Sequence, residues 1–558
     1  MSPSKDHFSN SEKNWQDGGA EGQAPESPLP RSSSELSVEV ATGLTTVVSA
    51  TSQPPLSRKV TSIGTTGTTD PDFEVDWDEK DPENPRNWPL WYKGVVVGFL
   101  SWNTWVVVLY STAYTAGLAD IADEFNTSQT IVTLGLTFYL VGLAVGSIIL
   151  APLSEMYGRK PVATITLFVF CIMIIPCGVS KSITELIVFR FIGALAGSAM
   201  ISCAPGSVSD IVDDEHRALA FSIWSIGPFN GPVFGPIVGG FVTQYLGWRW
   251  TNWICLMLGG VAFIFSCLIK ETYTPALLQK KSARIRKESD DERWWSRYDQ
   301  KQSLSKVLKV NLSRPFIMAI YEPICIFWNI YIAIVYGILY LCFVAYPIVF
   351  RELRGWSIGM SGLAFVGIGI GTLAIIACEP LIRRMIQAHK KDPETGKVYP
   401  EAMVSIVSIS AALVPIGELW FAWTCAPTSI HWVWPILAGI PFGAGNTGVF
   451  IYASNYLTHS YGVYAASAMA GNAVIRSVLG GVLPLVGKSL YSGIGPNWSG
   501  TLLGLLEVVI IPIPVAFYFY GHKIRMKSAL ISSMQLDKKK LEGKRSKRAA
   551  QEEKKEDV

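Results

Sequence analysis

Long apolar stretches alternate with short polar segments along most of the chain. Twelve stretches approach or exceed about 20 mostly apolar residues, the length that an α-helix needs to cross a bilayer core. Because lipid cannot satisfy backbone polar groups, the sequence predicts helices rather than open strands. The predicted helices cover residues 92–114, 129–153, 161–180, 184–206, 217–242, 249–270, 321–349, 357–382, 402–425, 431–457, 464–488 and 499–520.

The polar segments divide this pattern into two similar groups of six. The longest internal polar segment, 271–314, falls between the sixth and seventh helices. We therefore predict an all-α membrane protein with two pseudo-symmetric six-helix halves. The predicted regions are a disordered tail at 1–90, the first half at 91–270, a central loop at 271–314, the second half at 315–520 and a basic tail at 521–558.

The distribution of cations along the loops predicts an orientation. The central loop carries eleven Lys or Arg residues. The segment after the first helix carries acids instead, namely Asp120, Asp123 and Glu124. The positive-inside rule then predicts that the central loop and both tails are cytoplasmic. Asn126 and Asn497 begin glycosylation sequences on predicted outer loops.

Composition excludes several other classes of protein. The chain is 49% hydrophobic and only 16% charged, with a net charge of +3. Its cations are spread over loops and tail, so nucleic-acid binding is not expected. The nine cysteines include no CxxC pair, so no metal site is expected. Residues 1–60 lack the apolar core of a signal peptide. No phosphate-binding loop or catalytic cluster is evident, and we expect neither an enzyme nor a cofactor.

A charged turn follows the second predicted helix. Glu155 precedes it, Gly158 forms it, and Arg159 and Lys160 follow it. Such a turn can act as a charge latch, in which an acid pairs with cations or with a helix N-terminus in one conformation and releases them in another. A membrane anchor next to a simple turn is the alternative.

Small residues recur in the fifth predicted helix. They are Gly231, Gly235, Gly239 and Gly240, with Pro236 among them. Spacing of four residues allows a second helix to approach closely, and the proline can bend its own helix. In the fourth predicted helix, Arg190 places a cation inside an apolar stretch, which usually requires a cavity or a partner.

These motifs resemble the fungal twelve-helix drug:proton antiporters of the major facilitator superfamily. The string APLSEMYGRK resembles the loop signature between the second and third helices, with Ala151 and Glu155 as departures that are common in the fungal branch. The fifth-helix glycines match the antiporter motif of drug:proton exchangers. The resemblance implies that Arg190 modulates proton transfer, and it adds Asp210 to the conformational motif. His459 stands where many members carry an acid, which disfavours a polyamine substrate.

Acidic and aromatic side chains inside the helices are candidates for coupling and binding. A carboxyl group in an apolar site can carry a proton, and the candidates are Glu322, Glu379, Glu418 and Glu507. Aromatic rings and amides can bind flat apolar molecules. The candidates for the substrate cavity are Asn103, Tyr110, Tyr114, Tyr331, Tyr336, Tyr340, Asn446, Tyr452 and Asn455, for each of which helix packing is an alternative.

Together these features predict a monomeric, multi-pass exporter of small toxic organic compounds in the plasma membrane. Alternating access of the two halves would be driven by the proton gradient. One alternative is a narrow exporter of a single metabolite or polyamine. Another is a sensor that binds a ligand without moving it, although the short C-terminal tail disfavours this.

Overall fold

The computed structural model describes residues 73–78, 81–213, 216–299, 304–391, 393, 398–528 and 530–532. This part is helical, apart from isolated β-bridges between Glu74 and Trp295 and between Lys391 and Val398. Most of the predicted N-terminal tail and of the basic C-terminal tail lies outside the described residues.

The predicted helices are present as twelve long helices in the described chain. Eleven are long and apolar enough to cross a membrane. The other, α5, is comparably long, but its glycines, prolines and Asn230 make it less apolar. The bounds are α1 Leu90–Glu124, α2 Gln129–Tyr157, α3 Arg159–Val179, α4 Ile183–Ile211, α5 Arg217–Leu246, α6 Trp248–Leu268, α7 Pro323–Leu353, α8 Ile358–Ala377, α9 Glu401–Cys425, α10 Val433–Tyr461, α11 Ala465–Gly493 and α12 Pro496–Lys527.

Several helix ends differ from the sequence prediction. After a 3₁₀ turn at Tyr114–Gly117, α1 continues as Leu118–Glu124, so the predicted acidic loop is helical. The predicted central loop contains the helix Thr274–Ser289, and a second helix, Leu304–Tyr321, crosses its predicted end. These segments are polar or amphipathic, and an apolarity pattern does not detect them.

Each half is a bundle held by close helix pairs. In the first half α1 packs on α5, and α2 packs on α4; in the second half α7 packs on α11, and α9 packs on α10. Large apolar side chains such as Ile165, Met257 and Val509 remain 62–71% exposed on peripheral helices. An apolar surface of this kind suits lipid rather than water.

The two halves meet through α2 against α11 and α5 against α8. The hydroxyl of Thr137 donates to the carbonyl of Gly481 at 2.7 Å, and Lys488 Nζ donates to Gln129 Oε1 at 2.6 Å. On the other side, the backbone N–H of Gly359 donates to Gln244 Oε1 at 2.9 Å. All three contacts lie in the part of the bundle farther from the described chain ends. We call this region the distal end, and the region that holds the α2–α3 turn the proximal end.

The described part of the predicted N-terminal tail packs on the helix Thr274–Ser289 and the segment after it. Lys281 Nζ lies 2.6 Å from Asp81 Oδ2, and the backbone N–H of Val75 donates to the carbonyl of Trp295 at 2.8 Å. Burial alone would raise the pKa of Asp81, but the ammonium of Lys281 and the N–H of Glu83 lower it overall. This segment is therefore ordered against the proximal end, in contrast to the predicted disorder.

Candidate functional site

The glycines of α5 form its contact with α1. A Cβ added at Gly235 would lie 2.0 Å from Thr112 Oγ1, and one at Gly239 would lie 2.3 Å from the carbonyl of Ala113. At Gly231 it would lie 3.0 Å from Val108 Cβ. Three positions at four-residue spacing therefore bring the two helices into contact too close for any larger side chain. The fourth predicted glycine, Gly240, instead faces α8.

Two hydroxyl groups of α1 satisfy carbonyls that the prolines of α5 leave free. Pro236 has no N–H to bond the carbonyl of Pro232, and Thr112 Oγ1 donates to that carbonyl at 3.0 Å. Eight residues earlier, Pro228 frees the carbonyl of Trp224, to which Ser101 Oγ donates at 3.0 Å. Two of the carbonyls that the prolines of α5 leave free are thus satisfied by α1, which ties the two helices together.

Glu271 caps the start of α3. Its two carboxylate oxygens accept the backbone N–H groups of Arg159 and Lys160, each at 3.1 Å. One oxygen also accepts the N–H groups of Thr272 and Tyr273 at 2.9 Å. Gly158 has φ +99°, and a Cβ there would lie 2.5 Å from Glu271 Oε2. A carboxylate at a helix N-terminus is favourable because it meets free N–H groups and the positive end of the helix dipole.

The latch predicted at the α2–α3 turn has a different acid from the one expected. Arg159 Nε donates to Asp210 Oδ2 at 2.7 Å, whereas Glu155 is exposed and forms no hydrogen bond or ion pair within the described residues. Lys160 Nζ donates to the carbonyl of Cys267 at 3.0 Å. The turn therefore ties α2 and α3 to the end of α4 and to the segment after α6, all in the first half.

Arg190 is enclosed in the first half and is 1% exposed. Its Nε donates to the carbonyl of Gly135 at 3.1 Å, and its Nη2 lies 3.3 Å from the carbonyls of both Tyr110 and Ser111. The rings of Tyr110, Tyr114 and Tyr139 surround the guanidinium at 4.1–5.0 Å. Carbonyl dipoles and ring faces thus stabilise this cation without an acid partner among the described residues.

The predicted cavity residues of the first half lie inside that half. Asn103 is 2% exposed, and its amide lies against the carbonyls of Ala262 of α6 and of Phe99. Tyr110 donates to Asn252 Oδ1 at 2.8 Å, and Tyr114 donates to the carbonyl of Val132 at 2.9 Å. In this conformation these side chains hold α1, α2 and α6 together. Tyr110 and Tyr114 also line a small cavity with Arg190 and Asn252, whereas Asn103 does not reach it.

The predicted cavity residues of the second half divide into two groups. Tyr331, Asn446 and Tyr452 are buried within the half. The rings of Tyr336 and Tyr340 pack against each other with centroids 4.7 Å apart and planes tilted by 37°, and the hydroxyl of Tyr340 lies 3.4 Å from Ser111 Oγ of the first half. Asn455 is exposed on α10. Of the six, only the Tyr336–Tyr340 pair has a described contact across the two halves.

Two of the four candidate acids are neighbours within the second half. Glu418 of α9 and Glu507 of α12 are each 2% exposed and interact with each other. The thiol of Cys342 lies 3.9 Å from Glu418 Oε2. Within the described residues, Glu418 Oε1 and both oxygens of Glu507 have no hydrogen-bond partner. The ionisable side chains nearby are Tyr331, Cys342, Tyr346, Cys425 and Tyr491.

The other two acids lie near helix ends. Glu322 precedes α7 and accepts hydrogen bonds from Tyr461 at 3.2 Å and from Ser528 at 2.8 Å. Glu379 follows α8 and pairs with Arg383 at 3.3 Å. Of the two glycosylation candidates, Asn126 is exposed, whereas the amide of Asn497 donates to the carbonyl of Ala426 at 2.8 Å.

Comparison with known proteins identifies the family. The sequence model of the Major Facilitator Superfamily matches residues 100–484, which is more than half of the chain. The chain belongs to the major facilitator superfamily. It is 39% identical over 461 residues to the citrinin biosynthesis cluster MFS transporter of Monascus ruber, covering 81% of this chain and 91% of that protein.

Other members extend the comparison. The chain is 38% identical over 466 residues to the efflux pump FUB11 of Gibberella moniliformis, covering 83% of this chain and 78% of that protein. The solved structure of the proton:xylose symporter XylE superimposes with a TM-score of 0.56 at 13% identity, covering 78% of this chain and 96% of that chain. The latter likeness concerns the fold alone. The chain is thus an exporter-type member of the superfamily, embedded in a membrane by its apolar helices.

The sequence analysis did not name two charged residues that make notable contacts in the structure, Glu271 and Arg476. Glu271 follows α6 in sequence, and only the fold brings it to α3. Arg476 of α11 lies 4.5 Å from the ring of Phe450 and 5.5 Å from that of Tyr336. A cation inside an apolar stretch was the signal that identified Arg190, and the same signal was present at Arg476.

Proposed function

We propose that the protein is a proton-coupled antiporter that exports small organic compounds from the cytosol. The similarity to fungal efflux pumps supports export. The buried pair of Glu418 and Glu507 supports proton coupling, because two adjacent carboxylates in an apolar site cannot both ionise without a large energetic cost. At least one of the two then carries a proton, which makes the pair the candidate carrier.

Proton release would require this pair to gain water or a cation in another conformation. The ionisable side chains around the Glu418–Glu507 pair are tyrosines and cysteines, and no cation is among the described neighbours. Rocking of the two halves would change the packing of α9 and α12 and so the hydration of the pair. A ligand shifts such an equilibrium only by its different affinity for the two states, and here the ligands are the proton and the exported compound.

The cellular arrangement belongs to the same proposal. The cations of the central segment support a cytoplasmic location of the proximal end. The proposal further takes the protein to be a monomer in the plasma membrane that uses no cofactor. Export of one metabolite is the second candidate, because a similar relative is named for the citrinin biosynthesis cluster. Breadth of substrates separates the two candidates.

The test expresses the full chain in a yeast strain that lacks its own drug exporters. We expect improved growth on at least one toxin of an unrelated panel, with lower cellular accumulation that a protonophore abolishes. Resistance to many toxins supports a broad exporter, and resistance to one supports the narrow candidate. Low accumulation that persists with the protonophore would exclude proton coupling.

Variants of Glu418 and Glu507 test whether these acids carry the proton. Glu507→Gln and Glu418→Gln each remove one ionisable group while preserving shape, so export driven by a pH gradient should fall at least tenfold. Glu379→Gln is the matched control, since Glu379 is paired with Arg383 on a short helix outside α8. Equal export by the control and by both buried variants would contradict the assignment of the carrier.

A further inference from the structure

Arg476 differs from Arg190 in how its charge is satisfied. Arg190 has three carbonyls within hydrogen-bond distance, whereas Arg476 has no hydrogen bond or ion pair within the described residues, and its Nε is buried without a partner. Its described contacts are the ring faces of Phe450 and Tyr336. A cation in an apolar helix that lacks an acid is costly, so a use for the unpaired charge is expected.

The position of Arg476 is at the junction of the two halves. Phe450, which lies against the guanidinium, packs edge-to-face on Phe229 of α5 with centroids 5.1 Å apart. The ring of Tyr336 packs at a tilt against that of Tyr340, whose hydroxyl approaches Ser111 of α1. Arg476 is only partly buried, in contrast to the enclosed Arg190. The residue is thus partly exposed although its Nε is buried, and its guanidinium lies among rings at the contact between the halves.

The cluster of Arg476 with the rings of Phe229, Tyr336 and Phe450 favours one class of ligand. A guanidinium presents a planar pair of N–H donors that matches a carboxylate. The neighbouring rings of Phe229, Tyr336 and Phe450 offer faces and edges to a flat apolar body. No carboxylate among the described residues contacts Arg476, so the cluster attracts anions and repels cations.

We propose that Arg476 binds the carboxylate of the exported compound, and that the substrates are aromatic or otherwise flat organic acids. This inference rests on the proposed export function and names its substrate class. It predicts that neutral analogues of the same shape bind more weakly, because they leave the guanidinium without a counter-charge. Organic cations of equal size are predicted to bind more weakly still.

The test measures binding directly, without transport. Full-length protein in lipid nanodiscs is titrated with 2-naphthoate and with its neutral analogue 2-naphthamide by isothermal calorimetry. We expect naphthoate to bind at least tenfold more tightly than the amide. Arg476→Gln should reduce this preference to about twofold or less, and Arg476→Lys should leave an intermediate preference, because it keeps the charge and loses the bidentate geometry.

Arg314→Gln is the matched control. Arg314 also has guanidinium nitrogens without hydrogen-bond partners, but it is 6% exposed and lies before α7. This variant should bind naphthoate as the unaltered protein does. Equal binding of acid and amide, or an unchanged preference in Arg476→Gln with retained thermal unfolding, would overturn the inference. Because protonophore-sensitive export is measured separately, an unaltered protein that exports but shows no preference for the acid over the amide refutes only the substrate class.

Discussion

At the residue scale, the side chain of Glu271 makes more hydrogen bonds at the proximal end than any side chain of the charged turn at 155–160. It accepts four backbone N–H groups, two at the start of α3 and two from the residues that follow it. Hydrogen bonds to a charged group contribute about 1.5–3 kcal/mol each. A single carboxylate therefore fixes the segment after α6 to the turn between α2 and α3.

The first prediction concerns this carboxylate. Glu271→Gln replaces one acceptor oxygen by a donor that faces backbone N–H groups, so the free energy of unfolding should fall by about 1–3 kcal/mol. The apparent Tm of the detergent-solubilised protein should fall by several degrees, and export should fall with it. Glu155→Gln is the comparison, because Glu155 is exposed and accepts no described hydrogen bond, although its charge interacts with that of Arg159. A larger loss of export in Glu155→Gln than in Glu271→Gln would show that Glu155 forms the latch in another conformation.

Whether the sequence predicts a contact between two residues depends on how many residues separate them along the chain. The sequence singled out Gly158 and Arg159, and the structure gives both a role in the turn. It favoured Glu155 because that acid lies four residues from Arg159. Glu271 is 112 residues from Arg159, and only folding brings the two together. Local pattern can predict a charged turn, but it cannot choose among distant partners.

At the scale of helices, the crossing of α1 and α5 leaves no room for a methyl group at Gly235. The second prediction is that Gly235→Ala separates these helices, because its new methyl group would lie 2.0 Å from Thr112 Oγ1 and 2.8 Å from the backbone nitrogen of Ala113. The hydrogen bond from Thr112 to Pro232 should be lost in the shift. We expect at least a tenfold loss of export with protein still present in the membrane.

A glycine with free space provides the comparison. Gly260 of α6 has nothing within 4 Å of an added Cβ. In a helix, replacement of glycine by alanine removes a penalty of about 0.8–1 kcal/mol, so Gly260→Ala should leave export unchanged and preserve or raise the Tm. Equal loss in both variants would show that helix flexibility, rather than the close crossing, limits transport.

The ends of the helices were harder to predict than their existence. Apolar runs located all twelve long helices, because lipid-facing and buried positions are both apolar. The extension of α1 was missed because Leu118–Glu124 contains three acids. The helix Thr274–Ser289 was missed because five of its residues are Lys or Arg. In both cases the helix lies at an end of the bundle. There, helices and loops are both polar, so polarity does not distinguish between them.

At the scale of the whole molecule, the relation between the halves could not be predicted from the sequence. Symmetric halves favour several arrangements almost equally, and the sequence pattern is the same in all of them. The structure shows one arrangement, in which α2 meets α11 and α5 meets α8 at the distal end. Transport by alternating access requires these distal contacts to open.

The third prediction tests that requirement with a cross-link. Gln129 and Lys488 face each other across the halves, with Nζ and Oε1 2.6 Å apart. In a background with the exposed Cys267 and Cys378 changed to serine, the pair Gln129→Cys and Lys488→Cys is treated with a bifunctional methanethiosulfonate. Export should be abolished, because the distal end can no longer open, and a reductant should restore it.

A cross-link within one half separates restraint of the halves from damage by the reagent. Glu124 and Arg249 form an ion pair inside the first half at the same end of the bundle. Cysteines at these two positions, treated in the same way, should leave export at the level of their untreated form. If the link between the halves also leaves export intact, the distal contacts stay closed during transport, and movement must occur elsewhere than between α2 and α11. If both links abolish export, flexibility within the first half is required, and rigid-body rocking is insufficient.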